Sequence, residues 1–371
     1  MTEQEKALRV LRDQIDSIDQ QIQTLLNQRA ECAQKVAEVK ESYEGKQDAV
    51  FYRPEREAQV LRRVMDRNPG PLPAKEVAWL FREIMSICLS LEKPMRVAFL
   101  GPEGTFTQQA AVKHFGHSVH QAPMASLDQV FREVESGQAA YGIVPIENST
   151  EGMATHTLDL FRRYSLRICG ELELPIHHHL MMKRSDSESA PVDLASIQTV
   201  YAHRESLAQC RQWLAENCIN ATCVEVSSNA EGAQRAASEV NSAALAAESA
   251  EELYDLSIVQ RNVEDLHDNT TRFLVIGQQI VGPSGQDKTS VLLAAPNEPG
   301  ALYKLLEPFH TKGISLTRIE TRPSGQGAWS YLFYIDFEGH ESDPAVVDVI
   351  KQLELISTEL KVLGSYPKAV I

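Results

Sequence analysis

The 371-residue sequence lacks any apolar run near the roughly 20 residues that a membrane-spanning helix requires. It is charged from its third residue, which leaves no room for the apolar core of a signal peptide, so we expect a cytoplasmic protein without a membrane partner. Its six cysteines include no Cys-x-x-Cys pair and no metal-ligand spacing, so we expect reduced structural thiols.

Basic residues are in deficit, with 36 Lys and Arg against 51 Asp and Glu, a formal net charge of −15. A field of that sign repels phosphate backbones, so we expect no nucleic-acid partner. The deficit is uneven, because residues 1–94 hold 15 basic and 16 acidic side chains and residues 95–371 hold 21 and 35. The cations of the first segment therefore need a local explanation.

Hydrophobic periodicity divides the chain into parts, as its length of two to three typical domains predicts. A helical pattern predicts an all-α domain over 1–92, and alternating strands and helices predict a two-lobed α/β domain over 96–277. Within that domain we expect strands at 96–100, 139–145, 197–202, 221–226, 242–246 and 271–276, and helices near 106–115, 126–135, 153–163, 206–216 and 229–238. A Gly- and Pro-containing linker over 278–288 precedes a βαββαβ pattern over 289–371, which predicts an α+β ferredoxin-like plait.

The first segment begins with a predicted capping box, Thr2 with Glu5, followed by one long helix over 6–41. That helix would be about 50 Å long, more than a lone domain of this size can cover, so we expect a second copy to bury it. Two shorter helices are predicted from Pro54 and after the NPGPLP segment. The apolar seam of the long helix comprises Leu8, Leu11, Ile15, Ile18, Ile22 and Leu25.

The seam continues onto Arg29, where an apolar residue is expected. Burying an unpaired guanidinium costs on the order of several kcal/mol, so Arg29 needs either a bound anion or a buried acidic partner. The pattern alone leaves both alternatives open.

The segments LRDQID, QRAECAQKVAEVK, RPEREAQVL and LFREIMSICLSLE resemble the all-helical chorismate mutase family over residues 1 to about 92. The resemblance implies an intertwined helical dimer in which Arg and Lys clamp the two carboxylates of chorismate. Its rearrangement is unimolecular and needs no nucleophile, only a held conformer and a stabilised ether oxygen. Carried over by position, Arg29, Lys40 and Glu92 would be catalytic, and the substrate-binding set would be Arg12, Arg29, Lys40, Arg53, Arg56, Glu57, Cys88 and Glu92.

Arg12 and Arg29 are about 25 Å apart along one helix, so we expect Arg12 to enter the site of the other subunit. Two positions depart from the commonest family pattern. Arg53 stands where an Asp often lies, and Glu92 stands where many members have a Gln that donates to the ether oxygen. Because a Glu donates only when protonated, we expect burial or a neighbouring acid to raise the pKa of Glu92 and mutase activity to fall as pH rises.

Three polar motifs fall at predicted strand ends: GPEGTFT at 101–107, PIENSTEG at 145–152 and NTTRFLV at 269–275. Taken singly, each fits a plain turn, an N-cap or a structural Thr. Together and in this order they resemble the prephenate dehydratase family over residues 96–277. The resemblance implies two lobes like a type 2 periplasmic binding protein, with the chain returning at 271–277 to the first lobe.

In that family prephenate loses its ring carboxylate as carbon dioxide and its hydroxyl as water, so the site must supply a donor to the departing oxygen. Aromatisation drives the step, and we expect no cofactor. The His run at 177–179 cannot converge on a metal ion if it is a strand, because neighbouring side chains alternate faces. A Ser common in the family is Ala202 here. The resemblance implies Thr271 as the catalytic residue, with Thr105, Asn148, Ser149, His203, Gln209 and Arg272 binding or orienting.

The C-terminal plait resembles the ACT domain family. Its GAL and ETRP segments match the family's phenylalanine-binding motifs, with Thr321 in place of a Ser, which keeps the hydroxyl. The alternative is a plait used only for subunit pairing. The resemblance implies inhibition by L-phenylalanine bound between two modules, at Gly300, Ala301, Leu302, Glu320, Thr321, Arg322 and Pro323.

We therefore expect a homo-oligomeric, at least dimeric, enzyme that converts chorismate to prephenate and then to phenylpyruvate under phenylalanine control. A rival from another class is a non-catalytic regulator that responds to small molecules, since two-lobed domains and ACT modules also serve as sensors. A narrower rival is an enzyme with only one working activity, given Arg53, Glu92 and Ala202.

Overall fold

The computed structural model describes residues 2–45, 50–150, 152–183, 193–295, 298–323 and 331–371. Its helices are α1 (Glu3–Glu44), α2 (Pro54–Asp66), α3 (Ala74–Glu92), α4 (Phe106–Phe115), α5 (Leu127–Glu135), α6 (Thr155–Arg163), α7 (Arg204–Gln209), α8 (Arg211–Asn217), α9 (Asn229–Ser238), α10 (Ala250–Leu253), α11 (Ala301–Lys312) and α12 (Pro344–Ile356). Within these ranges, no helix combines the length and apolar character needed to cross a bilayer.

The strands fall into three sheets. They are β1 (Arg96–Leu100), β2 (His120–Met124), β3 (Tyr141–Asn148), β4 (Gly152–Met153), β5 (Arg167–Pro175), β6 (His179–Lys183), β7 (Thr199–His203), β8 (Thr222–Val226), β9 (Ser242–Ala246), β10 (Leu256–Gln260), β11 (Thr270–Gly277), β12 (Asp287–Ala294), β13 (Leu316–Pro323), β14 (Tyr331–Glu338) and β15 (Glu359–Pro367).

The N-terminal domain is all-helical, as predicted. Thr2 and Glu5 form both bonds of the capping box, and α1 extends three residues beyond the predicted helix at each end. Helix α3 packs against both α1 and α2. The apolar seam of α1 stays between 42 and 63% exposed within one chain, at Leu8, Leu11, Ile15, Ile18, Ile22 and Leu25.

The α/β domain has two lobes, also as predicted. The first lobe has strand order β2-β1-β3-β11-β5 with β4 beside β3, and the second has order β10-β6-β9-β7-β8. The chain leaves the first lobe after β5 and returns in β11, which lies antiparallel between β3 and β5. This return brings the TTRF segment beside the carboxyl end of β3, which positions the site described below.

The C-terminal domain has the expected βαββαβ order, with strand order β13-β14-β12-β15. Alternation along β12 serves two cores. Val291 and Leu293 pack with α11 and α12, whereas Leu292 packs with the core of the first lobe. The sheet therefore lies between its own helices and the first lobe, with ion pairs such as Arg167 to Glu341 at 2.7 Å across the contact.

One predicted helix, over 206–216, is two helices instead. The Asp265 carboxylate accepts the N–H groups of Gln212 and Trp213 at 2.9 Å and so caps the start of α8. Its own N–H donates to the carbonyl of Gln209, the last residue of α7. The break leaves Gln209 at a helix end facing the first lobe. The sequence-based assignment also missed strands β2, β5, β6 and β10.

Candidate active sites

A cleft of about 1080 Å³ separates the two lobes. Its first wall contains the loop before α4, the end of β3 and the start of β11, and its second wall contains the end of β7, α7 and the start of α9. The structure brings together at this cleft five residues that the dehydratase resemblance predicted: Thr105, Asn148, His203, Gln209 and Thr271.

Thr271 and Asn148 lie opposite each other where β11 pairs with β3. The Asn148 Nδ2 donates to the Thr271 Oγ1 at 2.8 Å. The direction is fixed because the backbone N–H of Thr150 donates to the Asn148 Oδ1 at 2.9 Å, which turns the amide nitrogen toward Thr271. The Thr271 hydroxyl therefore accepts from Asn148, and because Thr271 lines the cleft, its own proton is available to a ligand bound there.

Thr105 and His203 also line the cleft, but both are helix caps. The Thr105 hydroxyl donates to the Leu100 carbonyl at 3.1 Å and accepts the Gln108 N–H at 3.4 Å. The His203 Nδ1 accepts the Glu205 N–H at 3.4 Å at the start of α7. The cap uses the Thr105 hydroxyl oxygen as acceptor, and the hydroxyl proton is committed to the Leu100 carbonyl.

Two predicted residues do not reach the cleft. Arg272 follows Thr271 on β11 and so points to the opposite face, where its guanidinium pairs with Glu171 and Asp336 at 2.8 Å. The expectation that Arg272 contacts substrate is therefore contradicted by its placement between the first lobe and the C-terminal sheet. Ser149 instead connects the end of β3 to the start of β11, because its Oγ accepts the Thr270 N–H at 3.0 Å.

Part of the predicted mutase set gathers where the C-terminal ends of α1 and α3 meet. The Lys40 Nζ donates to the Val50 carbonyl at 2.9 Å, and Cys88 lies buried one turn before Glu92. Burial raises the pKa of Glu92 above its ordinary value, while the charges of Lys40 and Arg29 act to lower it. The direction agrees with the expectation from the sequence, with burial rather than a neighbouring acid as the cause.

The other predicted mutase residues lie elsewhere in the single chain. Glu57 bonds to Arg82 at 3.2 Å on the side facing the α/β domain. Burial raises the pKa of Glu57, and Arg82 opposes that shift. Arg53 and Arg56 are exposed, and Arg12 is exposed on α1, about 25 Å from Arg29 along the helix. One chain therefore does not assemble the full predicted set.

The predicted effector motifs occupy a helix start and an edge strand. Gly300 precedes α11 with φ of +81°, a left-handed conformation that favours glycine, and Ala301 and Leu302 form the first turn. β13, which pairs with β14 among the described strands, contains the ETRP motif. This strand also reaches the first lobe, through ion pairs of Arg318 with Glu147 and of Arg322 with Asp159.

The three histidines at 177–179 have separate partners. His177 bonds to Glu264 at 2.8 Å, His178 bonds to Gln209 at 2.8 Å, and the His179 Nδ1 accepts the Asn262 N–H at 3.2 Å. Only His179 belongs to a strand, so the premise of strand alternation was wrong. Across the described ranges, no group of His, Cys, Asp and Glu has the arrangement of a metal site.

The sequence analysis missed Asn269, Thr150 and His178, which bond to the predicted site residues. A signal existed for Asn269. It precedes Thr271 by two residues, and residues two apart in extended chain face the same side. Thr150 lies within the PIENSTEG motif, two residues after Asn148, whereas no comparable sequence signal marks His178, whose contact with Gln209 depends on how the lobes meet.

Comparison with known proteins covers nearly the whole chain. The chorismate mutase type II model matches residues 11–93, the prephenate dehydratase model 97–280, and the ACT domain model 289–355. The chain is 54% identical over 365 residues to the bifunctional chorismate mutase/prephenate dehydratase of Pseudomonas aeruginosa, with 98% of each chain covered. It belongs to the bifunctional chorismate mutase/prephenate dehydratase family.

The family assignment extends to a more distant relative and to solved structures. The bifunctional chorismate mutase/prephenate dehydratase of Escherichia coli K12 is 30% identical over 390 residues, covering 98% of this chain and 97% of that protein. A prephenate dehydratase from Arthrobacter aurescens in complex with L-Phe matches with TM-score 0.67 and 34% identity, covering 74% of this chain and 90% of that one. The prephenate dehydratase of Staphylococcus aureus matches with TM-score 0.63 and 26% identity, covering 73% and 100%.

Proposed function

We propose that this chain rearranges chorismate to prephenate in its N-terminal domain and converts prephenate to phenylpyruvate in the cleft, under inhibition by L-phenylalanine. The observation that carries the proposal is the Asn148–Thr271 pair, which leaves the proton of the Thr271 hydroxyl available to a ligand in the cleft between the lobes. Family membership over all three domains supports it.

In the dehydratase step, the bond from the ring to the carboxylate breaks and its electron pair enters the ring. The bond from the ring to the hydroxyl breaks at the opposite side, and the departing oxygen takes up a proton to leave as water. The Thr271 hydroxyl donates a hydrogen bond to that oxygen as its negative charge develops. Asn148 donates to the Thr271 oxygen, and Gln209 and His203 bind prephenate from the second lobe.

In the mutase step, Arg29 and Lys40 bind the carboxylates of chorismate and hold its compact conformer. Protonated Glu92 donates to the ether oxygen, which its raised pKa favours. Arg12 comes from a second copy of the chain, because it is too far along α1 to share a small substrate with Arg29. The half-exposed seam of α1 supports a homodimer, since the described part of the same chain leaves that face uncovered.

Phenylalanine binds between two C-terminal domains, at the start of α11 and along β13. A bound effector inhibits only if it favours an arrangement of the domain in which the cleft is less active. The pairs Arg318–Glu147 and Arg272–Asp336 join the C-terminal sheet to residues adjacent to Asn148 and Thr271, and so supply the contacts for such a change. A cytoplasmic location belongs to the same proposal and depends on the sequence expectation alone.

The test is to incubate the purified chain with chorismate near neutral pH, with and without L-phenylalanine, and to follow chorismate, prephenate and phenylpyruvate by NMR. Neutral pH avoids spontaneous aromatisation of prephenate. Phenylpyruvate that phenylalanine suppresses is the expected result. Accumulating prephenate alone would indicate a mutase with a silent cleft, and untouched chorismate would favour the sensor alternative.

A further inference from the structure

Four side chains beside the cleft form a closed ring of hydrogen bonds. Asn148 Nδ2 donates to Asn269 Oδ1 at 2.8 Å, and Asn269 Nδ2 donates to Gln209 Oε1 at 2.9 Å. Gln209 Nε2 donates to Thr150 Oγ1 at 3.2 Å, and Thr150 Oγ1 donates to Asn148 Oδ1 at 2.6 Å. Each member therefore donates one bond and accepts one within the ring.

The backbone N–H of Thr150 fixes the direction of the ring. It can only donate, so it requires the oxygen of Asn148 to face it. At the other side, the His178 Nε2 lies 2.8 Å from Gln209 Oε1, and this direction of the ring requires that nitrogen to be the donor. His178 is in turn held by its backbone N–H, which donates to Glu264 at 2.9 Å. A reversed ring would set donor against donor at Thr150.

Asn269 has a distinctive place in this ring. It is 1% exposed and does not line the cleft, so it acts through its neighbours. Its carbonyl accepts the N–H of Ile176, so both chain segments that connect the lobes meet at this residue. Its amide joins Asn148 of the first lobe to Gln209 of the second.

We propose that Asn269 is a positioning residue of the dehydratase, which closes the ring, holds Asn148 as donor to Thr271 and ties Gln209 to the first lobe. The ring thereby keeps the Thr271 proton directed at substrate rather than at Asn148. This inference rests on the proposed dehydratase function and adds to it residues, Asn269 and Thr150, that need not touch prephenate.

The first test measures the formation of phenylpyruvate from added prephenate by the variants Asn269→Ala and Asn269→Asp. Chorismate turnover by the same preparation and the melting temperature are the folding controls. We expect Asn269→Ala to lower kcat by about 10- to 100-fold with little change in KM, the effect of a misplaced catalytic group. Asn269→Asp retains the acceptor toward Asn148 but, when ionised, cannot donate to Gln209.

The aspartate variant supplies a readout that a merely structural role would not produce. Protonation restores a donor toward the Gln209 Oε1, so the ratio of variant to wild-type kcat should rise as pH falls from about 8 to about 6, because burial raises a carboxyl pKa into this range. Spontaneous aromatisation is subtracted at each pH. The Asn269→Ala ratio should stay flat.

A second pair of variants changes Thr150, an exposed member of the ring whose replacement does not disturb a buried core. Thr150→Val removes the hydroxyl between Gln209 and Asn148 and should lower kcat in the same direction, whereas Thr150→Ser keeps it and should match wild type. If the wild-type chain forms phenylpyruvate, either of two results would overturn the inference. One is a wild-type kcat in both Asn269→Ala and Thr150→Val. The other is a ratio of Asn269→Asp kcat to wild-type kcat that does not change with pH. If the wild-type chain makes no phenylpyruvate, the proposed function fails and the inference fails with it.

Discussion

Asn148 determines what the Thr271 hydroxyl can do. A hydroxyl beside an amide can donate or accept, and the Asn148 nitrogen leaves it only the second choice toward Asn148. The consequence is chemical, because a departing hydroxyl needs a donor and Thr271 has its proton available. The family resemblance predicted Thr271, but only the orientation of its neighbour explains why the proton of this hydroxyl is available to a ligand in the cleft.

Glu92 gives a prediction of pH dependence at the residue scale. Its protonated form is the donor, its pKa is raised by burial, and it ionises as pH rises through that value. Mutase activity should therefore be full below the raised pKa and fall above it. Glu92→Gln donates at every pH and should remove the fall. Initial rates of chorismate loss at several pH values check this, and a parallel decline in both proteins would contradict it.

At the scale of elements, β11 shows what a strand pattern does and does not predict. Alternation along the strand puts Thr271 toward the cleft and Arg272 toward the C-terminal sheet, whereas the family resemblance had placed both residues in the substrate site. What the pattern could not give was the partner, since Asp336 is 64 residues away on β14. The break between α7 and α8 was missed for a similar reason, because Asp265 caps α8 from a distant loop.

Asp336 provides the prediction at this scale. It accepts from Arg272 at 2.8 Å and from Ser290 at 2.6 Å in a buried contact between the domains. Asp336→Asn should destabilise the chain by about 1–3 kcal/mol, because Arg272 keeps only its Glu171 pair. Calorimetry should show that phenylalanine still binds to Asp336→Asn, but phenylalanine should inhibit phenylpyruvate formation by this variant less than by the wild-type chain.

The matched control is Glu359→Gln, which removes a more exposed pair with Arg162 at the same contact. It should cost at most about 1 kcal/mol and leave inhibition unchanged. If the same phenylalanine concentrations inhibit Asp336→Asn and the wild-type chain equally, the contact between Asp336 and Arg272 does not couple phenylalanine binding to the cleft.

At the scale of the whole molecule, the all-helical domain is incomplete in one chain. The seam of α1 is half exposed, and Arg12 lies far from the group formed by Arg29, Lys40 and Glu92. Sequence periodicity was sufficient to predict this exposed seam, because a helix of that length outruns a small domain. Periodicity could not predict that Glu57 would bond to Arg82, since that pair forms where the helices meet the α/β domain.

Complementation tests the shared mutase site. Arg12→Ala and Arg29→Ala should each abolish chorismate turnover without loss of the helical circular dichroism signal. When the two variants are co-expressed, random pairing makes about half of the dimers mixed, and one of the two sites in each mixed dimer has both arginines. About a quarter of all sites should therefore be active. No recovery in a preparation that contains mixed dimers would show that Arg12 serves its own chain or another purpose.

The most direct test of the account is to supply chorismate to Thr271→Ala and Thr271→Ser and follow the products by NMR near neutral pH. The alanine variant should consume chorismate at the wild-type rate and accumulate prephenate without enzymatic phenylpyruvate. The serine variant, which keeps the hydroxyl, should form phenylpyruvate. Phenylpyruvate from Thr271→Ala at the wild-type rate would contradict the claim that this hydroxyl, held by Asn148, carries the dehydratase chemistry.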